Sequence, residues 1–498
     1  MGFIVKRSIE LICLKQNIIL AITTCLVIAG FLLTSAFTRV VGFPLDDAWI
    51  HQTYARNLAE LGQWAFIPGK LSAGSTAPLW SLLIAAGYLF RTIPYGWTYF
   101  LGGISLLGIG LSGEAYLHRQ FPDLRSGFPW LGIFLIGEWH LVWASVSGME
   151  TTLYCLFILL VLLIVSRKPV ENWQAGLLAG ISVWIRPDGI TLLGPIFFVL
   201  FLSTETWRYK MTNLAKGLAF FLLPFIPYLL FTHILSGSWW PNTFYAKQAE
   251  YAILTQTPLA QRLLSLFGLP MIGAGILLLP GFIAEVWYAW KLKNWAVIAA
   301  VLWWAGYTLL YALRLPVTYQ HGRYLMPGMP VYFVVSIMGI RYILRGISGH
   351  KMAHWWVSRV WTMVIVGVWL AFYGIGASAY AQDVAIIDSE MVTAAKWVAV
   401  NTPQQSKIAV HDIGAFGFFS QRNLVDLAGL ISPEVIPFIR DERRLEEYLD
   451  EQGVDYLVTF PKWYPQLILR GVPVYHTLGT FSPKAGGENM WVYRWRKP

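Results

Sequence analysis

Charged residues are scarce in this 498-residue sequence: they make up 13% of the chain, whereas soluble proteins usually carry about 25%. Hydrophobic residues make up 56%, and the mean hydropathy is +0.54. A water-soluble fold could not bury so much apolar surface in one core, but a lipid bilayer solvates it directly. The composition therefore excludes an ordinary soluble protein and predicts a multi-pass membrane protein.

Cysteine is almost absent as well. Cys13, Cys25 and Cys155 lie in or beside apolar segments, so the sequence has neither a disulfide framework nor a zinc-ligand spacing. Phosphate-binding-loop, dinucleotide-binding, nucleophile-elbow and zinc-protease patterns are missing too. There is no run of Lys and Arg, so nucleic acid is not an expected partner. Chemistry driven by a bound nucleotide thus has no support in the sequence.

Long apolar segments are abundant, and about eleven of twelve candidates are expected to span the membrane. The candidates are 17–37, 77–93, 97–117, 128–146, 151–166, 173–186, 188–204, 213–233, 266–290, 295–313, 324–344 and 357–378. Basic residues cluster in three loops of the second half, and the positive-inside rule assigns these loops to the cytoplasm. With a cytoplasmic N-terminus, one segment must then fail to cross, and we predict that the short segment 77–93 is re-entrant.

The C-terminal quarter has a different character. Residues 1–378 carry a net charge of +12, and residues 379–498 carry −2. The latter combine amphipathic helices near 389–400 and 442–452 with strand patterns at Lys407–Val410 and Val454–Phe460. We therefore predict a mainly α membrane helix bundle at 1–378, with a first external loop at 38–76. A small soluble α/β domain follows at 379–498, on the extracytoplasmic side of the cell membrane.

Two adjacent aspartates, Asp46 and Asp47, stand just where the first helix leaves the bilayer. An ionisable group near membrane depth is costly and is often functional. One carboxylate could act as a general base, or the pair could hold a divalent cation such as Mg²⁺ or Mn²⁺. Capping of the next helix is the structural alternative, and spacing alone leaves both open. That helix is predicted to lie on the membrane surface, with Ile50, Tyr54 and Leu58 on one face.

Cations flanked by aromatic rings recur in two further external loops. Lys247 follows Tyr245 in the first loop, and His321 and Arg323 lie in the second. This combination suits a lipid-linked phosphate, because the cation binds the phosphate and the rings contact the lipid. An aromatic belt with cations that reach the headgroups is the alternative for either loop alone.

Two more polar pairs stand out in apolar surroundings. Arg186 and Asp188 flank a predicted external turn, where they could simply pair with each other. Glu138 and His140 lie within segment 128–146, two positions apart, so they do not share a helix face. One of this second pair is expected to be buried and paired.

Seven short motifs follow one another on the predicted external side. They are Asp46-Asp47, Tyr54-Ala55-Arg56-Asn57-Leu58, Pro78-Leu79-Trp80, Gly148-Met149-Glu150, Arg186-Pro187-Asp188-Gly189, Pro241-Asn242-Thr243-Phe244-Tyr245-Ala246-Lys247 and Gly322-Arg323-Tyr324-Leu325. In this order they resemble the GT-C superfamily of membrane glycosyltransferases over about residues 40–330. The likeness is to bacterial members similar to cell-wall arabinofuranosyltransferases and, more distantly, to protein mannosyltransferases and aminoarabinose transferases.

The resemblance implies a polyprenyl-phosphate sugar as the donor. The sugar would pass, with inversion, to a hydroxyl of a glycan, lipid or protein on the outer face of the membrane. Asp46 or Asp47 matches the position of the expected catalytic base. The residues expected to contact the donor phosphate or the substrate are Lys247, His321, Arg323, Arg56, Tyr245 and Arg186. Some relatives use a divalent cation and others do not, so the resemblance leaves the cofactor open.

Two alternative functions remain at this point. A transporter or flippase of lipid-linked sugars would usually have internal repeats and broken helices at the midplane, and no repeat is evident. A non-catalytic membrane assembly protein would leave the aspartate pair unexplained except as a helix cap. Trp49 and the stretch 73–77 depart from the family pattern, so the acceptor is not carried over from the resemblance.

Overall fold

The computed structural model describes residues 2–90, 94–122, 128–167, 172–346 and 348–496, most of which are helical. The helices of eight or more residues are Gly2–Thr38, Asp47–Leu61, Pro78–Leu89, Pro94–Gln120, Trp130–Gly137, Thr151–Val165, Asn172–Ile185, Leu193–Leu202, Trp207–Ser236, Asn242–Glu250, Leu259–Gly268, Gly275–Lys291, Trp295–Arg314, Met329–Gly346, Lys351–Ile387, Thr393–Asn401 and Glu442–Gln452. Shorter helical stretches include Trp139–Ser145, Pro187–Leu192, Tyr319–Gly322, Asp388–Val392, Ile413–Ala415 and Phe416–Ser420.

Several of these helices are suited to a membrane. Six stretches of the described chain are long and apolar enough to cross one, and a seventh is added if a bent pair counts as one span. The six are Leu14–Thr38, Tyr95–Gln120, Trp207–Ser236, Trp295–Arg314, Tyr319–Gly346 and His354–Asn401. In the last of them only 11% of the apolar window is buried inside the protein, so its side chains are available to lipid. The protein is thus of the multi-pass membrane type, and eleven crossings remain a prediction.

The sequence suggested one continuous helix over segment 128–146, but the structure divides this segment into two helices. It divides at Glu138, whose backbone is extended and whose side chain accepts hydrogen bonds from the amides of His140 and Leu141. Glu138 Oε1 also lies 2.8 Å from His140 Nδ1, and both side chains are buried. The predicted burial and pairing are therefore confirmed, and Glu138 caps a new helix.

Segment 266–290 is interrupted as well. The helical stretches Leu259–Met271 and Gly275–Lys291 meet at an angle of 104°. Pro270 has no amide hydrogen, and Gly273 adopts a φ of 93°, so a regular helix cannot continue through them. The sequence predicted one span here, and the structure shows a bent helix pair instead of a straight helix, because hydropathy does not register these two breaks.

The segment predicted to be re-entrant forms a short helix. Pro78–Leu89 has 12 residues, which gives a length of about 18 Å at 1.5 Å per residue. The hydrocarbon core of a bilayer is about 30 Å thick, so this helix alone is too short to cross. Residues 91–93, at the end of the predicted segment, lie outside the described residues.

The strands form a hairpin in the first loop and one five-stranded sheet near the C-terminus. They are β1 (Ala65–Ile67), β2 (Lys70–Leu71), β3 (Lys407–Val410), β4 (Asn423–Asp426), β5 (Tyr456–Thr459), β6 (Gly471–His476) and β7 (Trp491–Trp495). The sheet order is β4-β3-β5-β7-β6, with β3 parallel to both neighbours and β7 antiparallel to both of its own. The predicted strands at 407–410 and 454–460 and the helices near 389–400 and 442–452 are confirmed.

This sheet packs on the helix bundle through one of its faces. Ile408 and Val410 of β3 join the same buried hydrophobic cluster as the bundle helices. Ala409, between them, joins a second cluster with Leu445 and Leu449. Successive strand residues point to opposite faces, so the alternation assigns one face to the bundle and the other to helix Glu442–Gln452. The predicted domain division at 378/379 falls inside the unbroken helix Lys351–Ile387.

Helix Asp47–Leu61 is buried rather than spread on a membrane surface. Ile50 is 5% exposed and Tyr54 is fully buried, as the predicted apolar face requires. Trp49 is also buried, because it packs against Phe418 and Phe419 from the C-terminal part of the chain. The N-terminal part of this helix is therefore enclosed between the bundle and residues 388–496, which we call the C-terminal segment.

Candidate active site

Three charged residues from distant parts of the chain meet beside the first loop. Asp47 begins helix Asp47–Leu61, and its Oδ2 accepts a hydrogen bond of 2.7 Å from Arg323 Nη2. Lys247 Nζ lies 3.3 Å from the same oxygen. Burial alone would raise the pKa of Asp47, but the charges of Lys247 and Arg323 outweigh it and hold the pKa well below its usual range. Asp47 is thus a firmly ionised carboxylate.

Arg323 has hydrogen-bonding capacity that the protein does not use. The residue is only 8% exposed, and its Nε and Nη1 atoms are buried without a hydrogen-bond partner among the described residues. Buried donors are rarely left unpaired in proteins. A guanidinium with one nitrogen on Asp47 and two unused nitrogens is suited to bind an additional anion.

The turn before Arg323 is strained. Gln320, His321 and Gly322 have φ values of 53°, 58° and 68°, a left-handed conformation that costs non-glycine residues free energy. His321 Nε2 lies 2.9 Å from Asp383 Oδ2, and its ring meets the Trp139 and Trp143 rings edge-on. His321 therefore contacts Asp383 and not the Asp47 carboxylate. Such strain is typical of segments that hold a functional side chain in place.

The hydrogen-bond partners of Asp46 differ from those of Asp47. Its Oδ2 accepts a hydrogen bond of 2.6 Å from the amide of Gly414, and its Oδ1 accepts one of 2.8 Å from Ala415. Burial raises the pKa of Asp46 well above its usual range, and the charge of nearby Asp412 adds to this, while the two amides oppose it. Asp46 thus ties the first loop to the C-terminal segment.

Two cavities meet at the Asp47–Lys247–Arg323 cluster, and all three residues line both. The first, which we call the chamber, has a volume of about 820 Å³ and lies between the bundle and the C-terminal segment. The second, which we call the groove, has a volume of about 270 Å³ and runs between bundle helices. Polar side chains such as His411 and Asp412 line the chamber, whereas the groove has mainly apolar walls.

Arg186 lines the groove within a network of polar groups. Its Nη1 lies 3.3 Å from Glu150 Oε1, and its Nε lies 3.2 Å from Asp188 Oδ1. Asp188 Oδ2 also accepts hydrogen bonds from the hydroxyls of Tyr307 and Tyr311, at 2.6 and 2.7 Å. The pairing of Arg186 with Asp188 is therefore confirmed, and both residues stand beside the groove.

Three of the proposed substrate-binding residues, His321, Arg56 and Tyr245, line neither cavity. The guanidinium of Arg56 donates a hydrogen bond of 2.9 Å to the carbonyl oxygen of Phe418 and lies over the ring of that residue. Tyr245 is 39% exposed and packs edge-on against Phe244. The structure thus brings Asp47, Lys247, Arg323 and Arg186 around the two cavities, but it does not bring His321, Arg56 or Tyr245 there.

The contribution of the C-terminal segment to this site was not predicted from the sequence. His411 and Asp412 directly follow β3 and line the chamber. His411 Nδ1 lies 2.7 Å from the Tyr464 hydroxyl, and its Nε2 lies 3.4 Å from Glu250 Oε1. Polar residues at the carboxyl end of a parallel strand often line binding sites, and that signal was present in the sequence.

The aspartate pair does not offer the oxygen ligands that a divalent cation prefers. Within the described parts of the chain, no group of three or more His, Cys, Asp or Glu residues is arranged to hold a metal ion. Both oxygens of Asp46 are engaged by backbone amides, and Asp47 Oδ2 contacts two cations that would repel a metal. A metal cofactor remains a prediction from the resemblance alone.

Solved structures share this architecture over almost the whole chain. ArnT from Cupriavidus metallidurans, bound to undecaprenyl phosphate, aligns with a TM-score of 0.60 at 14% identity and covers 95% of this chain and 97% of its own. The oligosaccharyltransferase AglB from Archaeoglobus fulgidus, in complex with an inhibitory peptide and a dolichol-phosphate, aligns with a TM-score of 0.61 at 12% identity, over 95% and 74%. Both belong to the GT-C superfamily. This chain has the GT-C fold.

The predicted resemblance is therefore confirmed at the level of the fold, and these GT-C neighbours are glycosyltransferases. Residues 389–493 of the chain also match a family described as a domain of unknown function, DUF8728. No curated protein sequence matches the chain. The residues that match this uncharacterised family belong to the segment that covers the chamber.

Proposed function

We propose that this protein is a membrane glycosyltransferase that moves a sugar from a polyprenyl-phosphate donor to a hydroxyl of a glycan, lipid or protein, with inversion. The observation that carries the proposal is the meeting of the groove and the chamber at Asp47, Lys247 and Arg323. An apolar groove suits a polyprenyl chain, and a larger polar cavity suits a sugar and its acceptor. The buried cations between them suit the phosphate that joins the two.

The charges around the groove favour a donor with one phosphate. Its ionisable lining residues comprise four cations and three carboxylates, a net charge of +1. They are Arg186, Lys247, Arg314, Arg323, Asp47, Glu150 and Asp188. A phosphodiester between a sugar and a lipid carries a single negative charge, whereas a diphosphate carries at least two. The groove would therefore be neutral with a polyprenyl-phosphoryl sugar in it.

Lys247 and Arg323 would also take part in the chemistry. When the bond between the sugar and the phosphate breaks, negative charge develops on the phosphate oxygen. Lys247 and Arg323, already buried and oriented, would stabilise that charge without further reorganisation. The positive charge of Arg323 acts on the phosphate while its Nη2 stays on Asp47. Its Nε and Nη1 have no hydrogen-bond partner among the described residues but are closed to solvent in this structure, so they become donors to the phosphate only when the side chain moves. The transfer needs the donor and the acceptor alone as reactants.

We further propose that both cavities open on the extracytoplasmic side of the cell membrane. Helix Met329–Gly346 begins shortly after Arg323 and has Arg345 near its other end. Helix Lys351–Ile387 begins at a basic end and reaches the chamber with Asp383. Because basic loops stay in the cytoplasm, the chamber would lie outside, with a cytoplasmic N-terminus and about eleven crossings.

The neighbouring structures support the type of ligand. ArnT contains undecaprenyl phosphate, and AglB contains a dolichol-phosphate with an inhibitory peptide. A polyprenyl phosphate is therefore the simplest probe for the groove of this chain. The C-terminal segment would then lie over the acceptor side.

The proposal is tested with the full-length protein in lipid nanodiscs. We expect undecaprenyl phosphate to bind, and Lys247→Ala and Arg323→Ala to weaken binding about tenfold or more, as for a lost charge-assisted contact. Lys70→Ala, which removes an exposed lysine of the same first loop, is the matched control. Incubation with undecaprenyl-phosphoryl pentoses or hexoses, together with a cell-envelope extract that supplies the acceptor hydroxyl, should release undecaprenyl phosphate. Equal binding by both cavity variants and the wild type, or binding without release as for a flippase, would contradict the proposal.

A further inference from the structure

Resting on the proposed transfer reaction, we infer that the acceptor is an uncharged glycan and that the C-terminal segment binds it. The glycan occupies the part of the chamber at the carboxyl ends of β3 and β5, where one of its sugar rings stacks on Trp463. Residues 389–493, which match a family of unknown function, thereby recognise the acceptor. The donor phosphate remains with Lys247 and Arg323, so the two substrates are bound by different parts of the chain.

The order of the strands creates a crevice between β3 and β5. These two strands are parallel neighbours in the sheet β4-β3-β5-β7-β6. From the end of β3 the chain runs to β4 on one side, and from the end of β5 it runs to β6 on the other side. In open α/β sheets, ligands bind at the carboxyl ends of two such strands, because the diverging connections leave a gap between them. The fold of the C-terminal segment therefore provides a binding position of its own.

The residues that follow β3 and β5 line the chamber at this crevice. His411 comes directly after β3, and Trp463 and Tyr464 belong to the connection after β5. His411 Nδ1 lies 2.7 Å from the Tyr464 hydroxyl, and the centres of the His411 and Trp463 rings are 5.1 Å apart. These contacts show that the ends of the two strands meet at one wall of the chamber.

Trp463 presents an apolar surface to a polar cavity. It is 47% exposed, although tryptophan is usually well buried. The face of an indole ring is electron-rich, and the C–H groups on one side of a sugar ring are weakly positive, so the two rings stack. Pro461 begins the short helix Pro461–Trp463 and restricts the backbone there, so the position of the indole is set before a ligand binds. Trp463 is thus suited to bind a sugar ring.

The bundle adds to the chamber further groups that suit the same ligand. The rings of Tyr251 and Tyr319 lie 5.5 Å apart, and Tyr319 is 39% exposed. The carboxylate of Asp383, with 31% of its side chain exposed, can accept hydrogen bonds from sugar hydroxyls. The chamber volume of about 820 Å³ is toward the upper end of the range of about 300–1,000 Å³ for small-molecule sites. It therefore has room for more than one sugar unit.

The charge of the chamber argues against an anionic acceptor. Its lining contains six carboxylates and four Lys or Arg side chains, a formal net charge of −2. Protonation of both His411 and Asp46 would only bring this charge to zero. The groove, by contrast, has a net charge of +1, which matches the donor phosphate. An acceptor with phosphate or carboxylate groups would therefore enter a cavity with no net positive charge to balance them.

The individual cations of the chamber are engaged as well. Two of the four are the cations assigned to the donor phosphate. Arg440 donates a hydrogen bond to the carbonyl oxygen of Glu250, and Lys462 Nζ lies 3.4 Å from Glu488 Oε1. None of these lining cations is reserved for an anionic acceptor, so the chamber favours recognition through ring stacking and hydroxyl groups.

Binding of short oligosaccharides to the full-length protein in nanodiscs, without donor, tests this inference directly. The probes are neutral hexose and pentose oligomers, given free and as glycolipid headgroups, with uronic-acid oligomers and serine-rich peptides for comparison. We expect the neutral oligomers to bind, and Trp463→Ala to weaken their binding about tenfold, as for the loss of one aromatic contact surface. Trp463→Phe keeps a ring and should recover most of the affinity. Trp239→Ala, which removes a 55% exposed tryptophan that lines neither cavity, is the matched control.

In the transfer assay the same variant should affect the acceptor alone. With a neutral oligomer as acceptor, Trp463→Ala should raise the KM for that oligomer about tenfold, while kcat and undecaprenyl phosphate binding stay within about twofold of wild type. A matching loss of undecaprenyl phosphate binding would show that Trp463 stabilises the fold instead of binding the acceptor.

The outcomes separate this inference from the proposed function. The inference is overturned if no neutral oligomer binds, if only the uronic-acid oligomers or the peptides bind, or if Trp463→Ala binds neutral oligomers as wild type does. Undecaprenyl phosphate binding and release then still test the donor reaction. If neutral oligomers bind through Trp463 but undecaprenyl phosphate is never released, the proposed function fails and the glycan site stands. Tighter binding of the glycolipid form would support an acceptor anchored in the membrane, and equal binding of both forms would support a glycan free of it.

Discussion

The groove and the chamber share the Asp47–Lys247–Arg323 cluster but are built from different parts of the chain. Bundle helices and their connecting loops form the groove, which is small and mainly apolar. The C-terminal segment supplies much of the wall of the chamber, including His411, Asp412 and Trp463. The aligned neighbours contain lipid phosphates, while the C-terminal segment matches a family of unknown function. We therefore expect donor binding and sugar transfer to be separable by substitution.

Arg323→Ala should give the largest effect, because Arg323 belongs to both cavities. The change leaves Asp47 with one cation and removes two donors proposed for the phosphate. We expect release of undecaprenyl phosphate to drop by about 10³-fold, as for a lost group that stabilises developing charge. Arg323→Lys keeps the charge without the planar fork and should recover only part of the rate. Full activity in Arg323→Lys would mean that charge alone suffices.

Asp46→Ala should damage the chamber and spare the groove. The change removes two hydrogen bonds to Gly414 and Ala415 and leaves their buried amides unpaired. We expect faster amide hydrogen exchange over 413–420 and a transfer rate lower by roughly 10²-fold, with undecaprenyl phosphate binding nearly unchanged. Loss of lipid binding to the same extent as loss of transfer would show that the two cavities do not act separately.

Trp240→Ala should have the opposite, smaller effect. Trp240 lines the groove and not the chamber, so its loss removes apolar contact area for a lipid chain. Burial of a large side chain contributes a few kcal/mol at most, so we expect binding weaker by about tenfold. The KM for the donor should rise while kcat stays within about twofold. A fall in kcat alone would place Trp240 in the chemistry instead of in lipid binding.

Arg56→Ala should have the smallest effect on transfer. Its guanidinium bonds to the carbonyl oxygen of Phe418 and lines neither cavity. We expect lipid binding and turnover close to wild type, with the free energy of unfolding lowered by about 1 kcal/mol, the usual value for one hydrogen bond. Thermal unfolding in detergent measures the change in stability. A loss of donor binding without loss of stability would show that Arg56 contributes to substrate binding.

Local sequence patterns predicted the elements of the C-terminal segment well. Strand β3 has the predicted bounds Lys407–Val410, because alternating side chains and flanking turn residues are signals contained in a few positions. The broken segments 128–146 and 266–290 escaped the same approach. Hydropathy averages over a window, so a single capping carboxylate at Glu138, or the Pro270–Gly273 break, does not register in it.

The division of roles between Asp46 and Asp47 could not be derived from the sequence. Their neighbours along the chain are the same, and the partners that distinguish them are far away: Gly414 for Asp46, and Lys247 and Arg323 for Asp47. The resemblance to a known superfamily did indicate Lys247 and Arg323, because it carries spatial information that spacing lacks. The sequence did not single out Asp412, because acidic residues are common in the C-terminal segment. Outside the membrane an ionised side chain has a low free-energy cost.

The hydrogen bonds of Asp46 to Gly414 and Ala415 have a consequence for biosynthesis. Gly414 is made 368 residues after Asp46, so a ribosome must complete nearly the whole polypeptide before this contact can form. Until then the nascent chain can be inserted helix by helix, with the groove formed but the chamber still open. A translation product truncated before β3 would therefore contain the groove without the chamber, and under the proposed function it would bind the lipid phosphate without transferring the sugar.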